Sequence, residues 1–201
     1  MYYQRLRPEA GAKLHSDGGE RYYLSESERR AFIEACQKLP RTQKSFCLML
    51  VYTGVRLSEA RYLKCTDFCF PEKMVLIRTL KRREEKHFRY LPLPVTVAMT
   101  LEAQRLTWDK KRIYLWSEID QPPPRIQCYR WVKQVMEDLG LEGPRASPKG
   151  LRHTFGAHAI NTGIQLQMLQ RWMGHANIET TAGYTTIVGQ EERELASRMW
   201  E

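Results

Sequence analysis

Residues 148–187 have the sequence PKGLRHTFGAHAINTGIQLQMLQRWMGHANIETTAGYTTI, and this stretch decides the fold. Within it, Leu166, Leu169 and Met173 recur at the spacing of one helix face. Gly174 is suited to ending that helix, and another helix begins shortly after the turn. The stretch therefore predicts three short helices in succession, over 150–162, 164–173 and 177–185.

The rest of the chain predicts more helices and one small sheet. Ser25 and Glu28 form a capping-box pattern, and the apolar segment 45–52 fits a buried helix that stops at Gly54. Strands are predicted for DFCF (67–70), MVLIR (74–78) and FRYLPLP (88–94), and further helices over 57–63, 94–105, 126–139 and 190–200. The fold class is therefore α+β, mainly α-helical with one small three-stranded antiparallel sheet.

Composition narrows the possible functions. The 201 residues include 32 Lys and Arg against 23 Asp and Glu, a formal net charge of +9, which favours an anionic partner such as nucleic acid over a basic protein without one. No apolar run approaches a membrane span, and no secretory signal precedes the domain. Five cysteines without a CxxC pair indicate a reduced, cytoplasmic protein, and the scattered histidines predict no metal site.

Two basic clusters stand beside predicted turns. Arg56 follows Gly54 at a helix start, where free N–H groups and a planar guanidinium together suit a phosphate. Lys149, Arg152 and His153 share the first turn of a later helix, where the helix dipole disfavours cations unless an anion binds there. The alternatives are a surface arginine at a helix N-terminus and an ordinary amphipathic helix with basic surface positions.

A third cluster contains His175, in the turn after Gly174, and Tyr184 nine residues later. Taken alone, a tyrosine at this position is more often an amphipathic residue of the core. Together, TGVRLSE (53–59), LRHTFGAHAINTG (151–163) and MGHANIETTAGY (173–184) resemble, in order and spacing, the conserved boxes of the tyrosine recombinase (phage integrase) family. The resemblance covers about residues 22–188. It implies a catalytic domain of a site-specific recombinase over 21–188, which cleaves and rejoins DNA through a covalent 3′-phosphotyrosine without a cofactor.

The resemblance also implies roles for individual residues. The expected catalytic residues are Arg56, Lys81, Lys149, Arg152, His175 and Tyr184. Glu59 is expected to buttress Arg56, His153 is a further supporting residue, and Lys86 is the alternative to Lys81. Lys149 stands where the family most often has histidine. A lysine is a cation at neutral pH, so it can hold a phosphate oxygen but accepts a proton only where its surroundings disfavour the charge.

The expected reaction is phosphoryl transfer with fixed cations in place of a metal. Arg56, Arg152 and His175 would hold the non-bridging oxygens, with Lys149 joining them, and Lys81 would protonate the leaving 5′-oxygen. The surrounding positive charge is expected to favour the phenolate of Tyr184.

The expected partner is double-stranded DNA, bound in the cytoplasm of a bacterial or phage-infected cell by a monomer that assembles into a synaptic tetramer. Candidate DNA contacts, in a groove or on phosphates, are Arg78, Arg82, Arg83, Lys86 and Arg125. Residues 1–20 are expected to form a flexible basic arm. Residues 189–201 are expected to form a helical tail that packs on its own domain or on a neighbouring protomer.

Most family members carry an additional N-terminal helical domain, for which this sequence has no room before residue 25. We therefore expect either a trimmed chain or a naturally minimal recombinase, with residues 1–20 partly replacing the missing clamp. The rival functions are a non-catalytic regulator that uses residues 164–184 as a helix-turn-helix unit and a type IB topoisomerase. The target site, the need for accessory factors, and the choice between integration, excision and resolution stay open.

Overall fold

The structure is a computed structural model that describes residues 13–80, 87–107, 112–186 and 197. The described residues form helices packed around one small sheet. The α-helices are α1 (Glu26–Cys36), α2 (Arg41–Thr53), α3 (Leu57–Arg61), α4 (Val95–Arg105), α5 (Arg125–Asp138), α6 (Pro148–Asn161), α7 (Leu166–Met173) and α8 (Ile178–Ala182). The strands are β1 (Phe68–Cys69), β2 (Met74–Arg78) and β3 (Phe88–Pro92), and 3₁₀ turns cover Cys65–Asp67 and Gly183–Thr186. The predicted α+β class is confirmed.

Local sequence explains where the helices begin and end. The capping box of α1 forms as predicted, because the Ser25 hydroxyl accepts from the Glu28 amide and the Glu28 carboxylate accepts from the Ser25 amide. Helices α2 and α7 end at Gly54 and Gly174, whose φ angles of 61° and 64° are left-handed and suit glycine. The Ser147 hydroxyl caps α6. These caps fix the turns in which the candidate site residues lie.

Helix α2 is the centre of the core and is buried nearly all round, as its unbroken apolar sequence predicts. Phe46, Leu48 and Met49 are almost inaccessible to solvent, and the helix packs against α1, α4 and α6. A smaller cluster joins Leu14 to Tyr184 and to residues of α6 and α7. The core therefore extends directly under the α2–α3 and α7–α8 turns.

The sheet is antiparallel in the order β1–β2–β3, with Ile77 opposite Arg89 and Arg78 opposite Phe88. The inward positions of β3 are Arg89 and Leu91. Strand β3 is shorter than the predicted 88–94 because Pro94, which lacks an amide hydrogen, caps the start of α4.

The expectation of a flexible arm over residues 1–20 is wrong for residues 13–20. Leu14 is 4% exposed, because its apolar side chain joins the cluster around Tyr184. The backbone turns back on itself, with Tyr22 donating to the Leu14 carbonyl over 2.8 Å and His15 pairing with Arg21. Residues 1–12 and the predicted helix over 190–200, apart from residue 197, lie outside the described residues.

The helices after α6 are shorter than predicted. Helix α7 begins at Leu166, and α8 ends at Ala182, where the tighter 3₁₀ turn Gly183–Thr186 takes over. None of the helices in the described ranges has the length and hydropathy needed to cross a membrane.

Candidate active site

A cleft of about 590 Å³ brings together side chains from distant parts of the sequence. Its predicted lining residues are Arg56, Arg125, Lys149, Arg152, His153, His175 and Tyr184. Arg56 is the N-cap of α3, Arg125 opens α5, and Lys149 lies in the first turn of α6. The structure therefore unites five of the six predicted catalytic residues, with positive charge and helix N-termini on the same side.

Arg152 joins the two turns that border the cleft. Its Nη1 donates to the Gly54 carbonyl over 2.6 Å, and its Nη2 donates to the Met173 carbonyl over 2.7 Å. Burial, followed by repulsion from Arg56, lowers the pKa of the guanidinium to about 10. Arg152 therefore stays charged at neutral pH and holds the turn before Arg56 against the turn before His175.

Glu59 contacts Arg56 in the way that the sequence predicted. One Glu59 oxygen accepts from the Arg56 amide over 3.1 Å, and the other accepts from Nη1 over 3.0 Å. Glu59 is only 3% exposed. Burial alone would raise the pKa of the Glu59 carboxyl, but Arg89 and Arg56 outweigh it and hold the pKa below its ordinary value. A buried carboxylate therefore fixes the orientation of the Arg56 guanidinium.

Arg89 is a residue of this network that the sequence reasoning missed. Its Nη2 donates to Glu59 over 2.7 Å, its Nη1 to the Thr79 hydroxyl over 2.8 Å, and its Nε to the Trp172 carbonyl over 2.8 Å. The available signal was the alternation of β3, in which Arg89 shares the inward face with Leu91. An inward-facing charge in a strand points to a buried partner.

Tyr184 is buried at the wall of the cleft, with 1% of its surface exposed. Its hydroxyl lies 3.2 Å from Nδ1 of His153, and its ring covers Gly156, where a Cβ atom would come within 2.5 Å of the ring. Burial raises the pKa of Tyr184 to about 12, although Arg152 and Arg56 act to lower it. The expected stabilisation of the phenolate is therefore wrong for the DNA-free protein, because desolvation outweighs the nearby cations.

Both histidines of the cleft are held neutral. Burial, then Arg152 and Arg56, lowers the pKa of His175 to about 3, and burial, then Lys149 and Arg152, lowers that of His153 to about 4. His175 Nδ1 lies 3.0 Å from the hydroxyl of Thr181. The buried Nε2 of His153 has no hydrogen-bond partner within the part of the chain that the structure describes.

The remaining candidates lie elsewhere. Arg78 is exposed at the end of β2 and does not line the cleft. Lys81, Arg82, Arg83 and Lys86 lie outside the described residues. The base of their hairpin is described, and the Thr79 amide donates to the His87 carbonyl over 2.8 Å.

Sequence reasoning also missed several residues of the cleft lining, among them Tyr22, Tyr129 and Thr180. The Nζ atom of Lys149 lies 5.8 Å from the centre of the Tyr22 ring. Within the described ranges, no group of three or more His, Cys, Asp or Glu side chains is arranged to hold a metal ion.

Comparison with known proteins identifies related sequences. The model of the phage integrase family matches residues 22–191. A tyrosine recombinase of Thermosipho africanus is 25% identical over 178 residues, which are 88% of this chain and 61% of that protein. Tyrosine recombinase XerA of Pyrococcus furiosus is 27% identical over 176 residues, 87% of this chain and 60% of that protein. The chain thus spans about three fifths of the length of these curated relatives.

Solved structures share the fold. The crystal structure of XerA recombinase superposes with a TM-score of 0.76 at 26% identity, covering 89% of this chain and 65% of that one. XerH site-specific recombinase bound to a palindromic difH substrate, a post-cleavage complex, gives 0.75 at 23% identity, covering 94% and 54%. The catalytic domain of bacteriophage HP1 integrase gives 0.61 at 21% identity, covering 87% and 93%.

Proposed function

This chain belongs to the phage integrase family, and we propose that it is a site-specific tyrosine recombinase that cleaves and rejoins double-stranded DNA. The observation that carries the proposal is the convergence of Arg56, Arg152, His175 and Tyr184 on one cleft. A single phosphodiester placed in that cleft meets both guanidinium groups and the phenol. None of these side chains adjoins another in the sequence, so their convergence is a property of the fold.

The arginines stabilise the charge that develops on the phosphate. Both terminal nitrogens of Arg152 donate hydrogen bonds to backbone carbonyls, and Arg56 donates to Glu59. These bonds fix both guanidinium groups, so neither side chain has to change its conformation when the phosphate enters. Preorganised donors of this kind contribute roughly 3–4 kcal/mol each to transition-state stabilisation. Lys149 adds a third cation, and His175 donates from the opposite turn.

Tyr184 is the nucleophile. Its phenol oxygen bonds to phosphorus while the bond from phosphorus to the 5′-oxygen breaks, leaving a 3′-phosphotyrosine and a free 5′-hydroxyl. The 5′-oxygen takes its proton from Lys81, and the phenol gives its proton to a base. His153 Nδ1 is the hydrogen-bond acceptor at hand, 3.2 Å away.

DNA binding makes His153 a better proton acceptor. In the free protein the pKa of Tyr184 is about 12 and that of His153 about 4, so the phenol keeps its proton. A phosphate in the cleft offsets the positive charge of Lys149 and Arg152, and this raises the pKa of His153 towards its ordinary value.

The wider function follows from the substrate. The protein acts on DNA in the cytoplasm of a bacterial or phage-infected cell, as a monomer that assembles into a synaptic tetramer on its sites. Arg125, in the cleft lining, and Arg78, Arg82, Arg83 and Lys86 contact phosphates or groove edges. Residues 21–188 form the catalytic domain, to which residues 13–20 are joined by the packing of Leu14.

A covalent-adduct assay tests the proposal. Nicked duplexes that tile the DNA on both sides of the gene are incubated with the protein in EDTA, and adducts that resist SDS are detected. The wild-type protein is expected to form a 3′-phosphotyrosine adduct on a restricted set of duplexes, and Tyr184→Phe none.

Tyr129→Phe is the matched variant, because Tyr129 is a second phenol in the cleft lining, and it should still form the adduct. Absence of an adduct with the wild-type protein favours a non-catalytic regulator. Adducts on all duplexes alike favour a type IB topoisomerase.

A further inference from the structure

Arg89 places a guanidinium inside the domain, beneath the cleft. Its residue surface is 7% exposed, and it does not line the cleft. A buried charge is costly unless every polar group around it is paired, and an apolar side chain of similar size often gives a more stable fold. The presence of arginine at this position therefore calls for a role beyond filling the core.

The three nitrogens of Arg89 bond to three separate elements. Nη2 binds Glu59 of α3, Nη1 binds Thr79 at the base of the charged hairpin, and Nε binds the carbonyl of Trp172 in the last turn of α7. Arg89 itself belongs to β3. One planar fork therefore fixes the relative positions of four elements of the fold.

Each of the three contacted groups is connected to one proposed catalytic residue, by hydrogen bonds, by position in the sequence or by a neighbouring turn. Glu59 holds Arg56 through two hydrogen bonds. Thr79 precedes the proposed general acid Lys81 by two residues. Gly174, which precedes His175, lies so close that a Cβ atom there would be 2.9 Å from Cζ of the Arg89 guanidinium.

We propose that Arg89 is a positioning residue that sets the relative placement of Arg56, of Thr79 at the base of the β2–β3 hairpin and of the turn carrying His175. The inference rests on the proposed recombinase function and adds a residue to it. Only a planar group with donors on several edges meets three acceptors in different directions, so lysine is a poor substitute. A displacement of about 1 Å at a reacting group lowers a rate by about 10²-fold.

The deciding measurement compares strand cleavage with DNA binding. The full chain and its Arg89→Lys variant are mixed with the nicked duplex that forms the adduct, and single-turnover cleavage rates and Kd values are determined. We expect the cleavage rate to fall by about 10–100-fold and Kd to change by less than about threefold, because Arg89 is buried and does not line the cleft. Wild-type cleavage by a folded Arg89→Lys protein overturns the inference.

Arg29→Lys is the matched control. Arg29 is also a largely buried arginine, with 11% of its side chain exposed and an ion pair to Glu26, and like Arg89 it does not line the cleft. We expect its cleavage rate to stay near that of the wild-type protein. Equal losses in both variants would mean that Arg89 acts only through general stability, and would contradict the proposal.

Thr79→Val provides a second variant if Arg89 substitutions prevent folding. It keeps the shape of a buried side chain that is 8% exposed and removes only the hydroxyl acceptor of Arg89. We expect about a tenfold lower cleavage rate with unchanged Kd. A folded Thr79→Val protein that cleaves at the wild-type rate would contradict a positioning role for the contact between Arg89 and Thr79.

A measurement without DNA separates this inference from the recombinase proposal. Arg89, Arg56 and Arg152 are the described charged groups that face Glu59, and the first two hold the pKa of Glu59 down. Titration of the Glu59 carboxyl by carbon NMR should show a higher pKa in Arg89→Lys than in the wild-type protein. An unchanged titration contradicts the proposed link between Arg89 and Glu59 whether or not the protein cleaves DNA. Failure of the wild-type protein to form any adduct refutes the recombinase proposal instead.

Discussion

The hydroxyl of Tyr184 lies 3.2 Å from Nδ1 of His153, inside the domain and away from solvent. The two residues are 31 positions apart and belong to α6 and to the 3₁₀ turn after α8. This pair connects the stability of the fold to the proposed chemistry, because His153 both holds the phenol by a hydrogen bond and is the proposed acceptor of its proton.

Replacing His153 should show how much the hydrogen bond between His153 and Tyr184 contributes to the free energy of unfolding. His153→Ala leaves the buried phenol without an acceptor, which costs about 1–3 kcal/mol of unfolding free energy in addition to the lost packing. Tyr184→Phe should cost less, since it removes the polar group itself. Urea unfolding of the single and double variants forms a double-mutant cycle. A coupling energy indistinguishable from zero would show that the bond is not formed in solution.

The two neutral histidines predict that the fold loses stability in mild acid. Both titrate near pH 6.5 in the unfolded chain but at about 4 and 3 in the fold. Between these values the unfolded state binds more protons, so the free energy of unfolding decreases as the pH falls from about 7. The burial-lowered pKa of His158 adds in the same direction.

Unfolding in urea at pH 7, 6 and 5 checks this expectation. We expect a loss of about 2 kcal/mol from His153 between pH 7 and 5, and a smaller additional loss from the partly exposed His175. The slope should be shallower for His153→Gln and for His175→Gln. The pKa of Glu59 is lowered from 4.5. Protonation of Glu59 therefore lowers the free energy of unfolding mainly below pH 4.5, and it adds little to the loss between pH 7 and 5. A stability that stays constant from pH 7 to 5 would contradict the assigned pKa values.

Lys149→His tests what the lysine does in the cleft. If Lys149 only donates to a phosphate oxygen, histidine at this position should preserve or raise the rate of adduct formation. Lys149→Met, which removes the donor, should lower the rate by about 10²–10³-fold. A fall of Lys149→His to below about one hundredth of the wild-type rate, the lower limit for losing one such donor, would indicate a role specific to lysine.

Arg125→Ala tests whether the cleft side of α5 meets DNA phosphates. Loss of one phosphate contact should weaken binding and reduce the slope of log K against log salt by about 0.9. Arg130→Ala is the matched control, because Arg130 is an exposed arginine on the same helix and does not line the cleft. Identical salt slopes for the two variants would place the DNA elsewhere.

Local patterns in the sequence placed the candidate residues beside turns and helix starts, and the resemblance to the recombinase family assigned their roles. Arg56, Lys149 and His175 each lie at a helix start or turn that capping residues and glycines define, so their neighbourhood could be inferred from a few adjacent letters. The buried helix α2 followed from an unbroken apolar run. These features depend on hydrogen bonds and periodicity within one segment, which is why they were predictable.

Other features could not be read from any one segment. Arg89 fell within the predicted strand 88–94 without an assigned role, and its three partners come from three other elements. Leu14 lay in a polar stretch that predicted a flexible arm, yet it packs into the cluster around Tyr184. In both cases the partner residues are distant in the sequence.

The amino-acid sequence by itself determined the fold class, the order of the helices and which candidate residues stand beside turns, because helix ends and strand alternation are set by near neighbours. Only the tertiary structure decided that Tyr184 is buried with a pKa of about 12 and that one guanidinium links Glu59, Thr79 and Trp172. The reason is physical: desolvation and ion pairing depend on which atoms from distant segments surround a group.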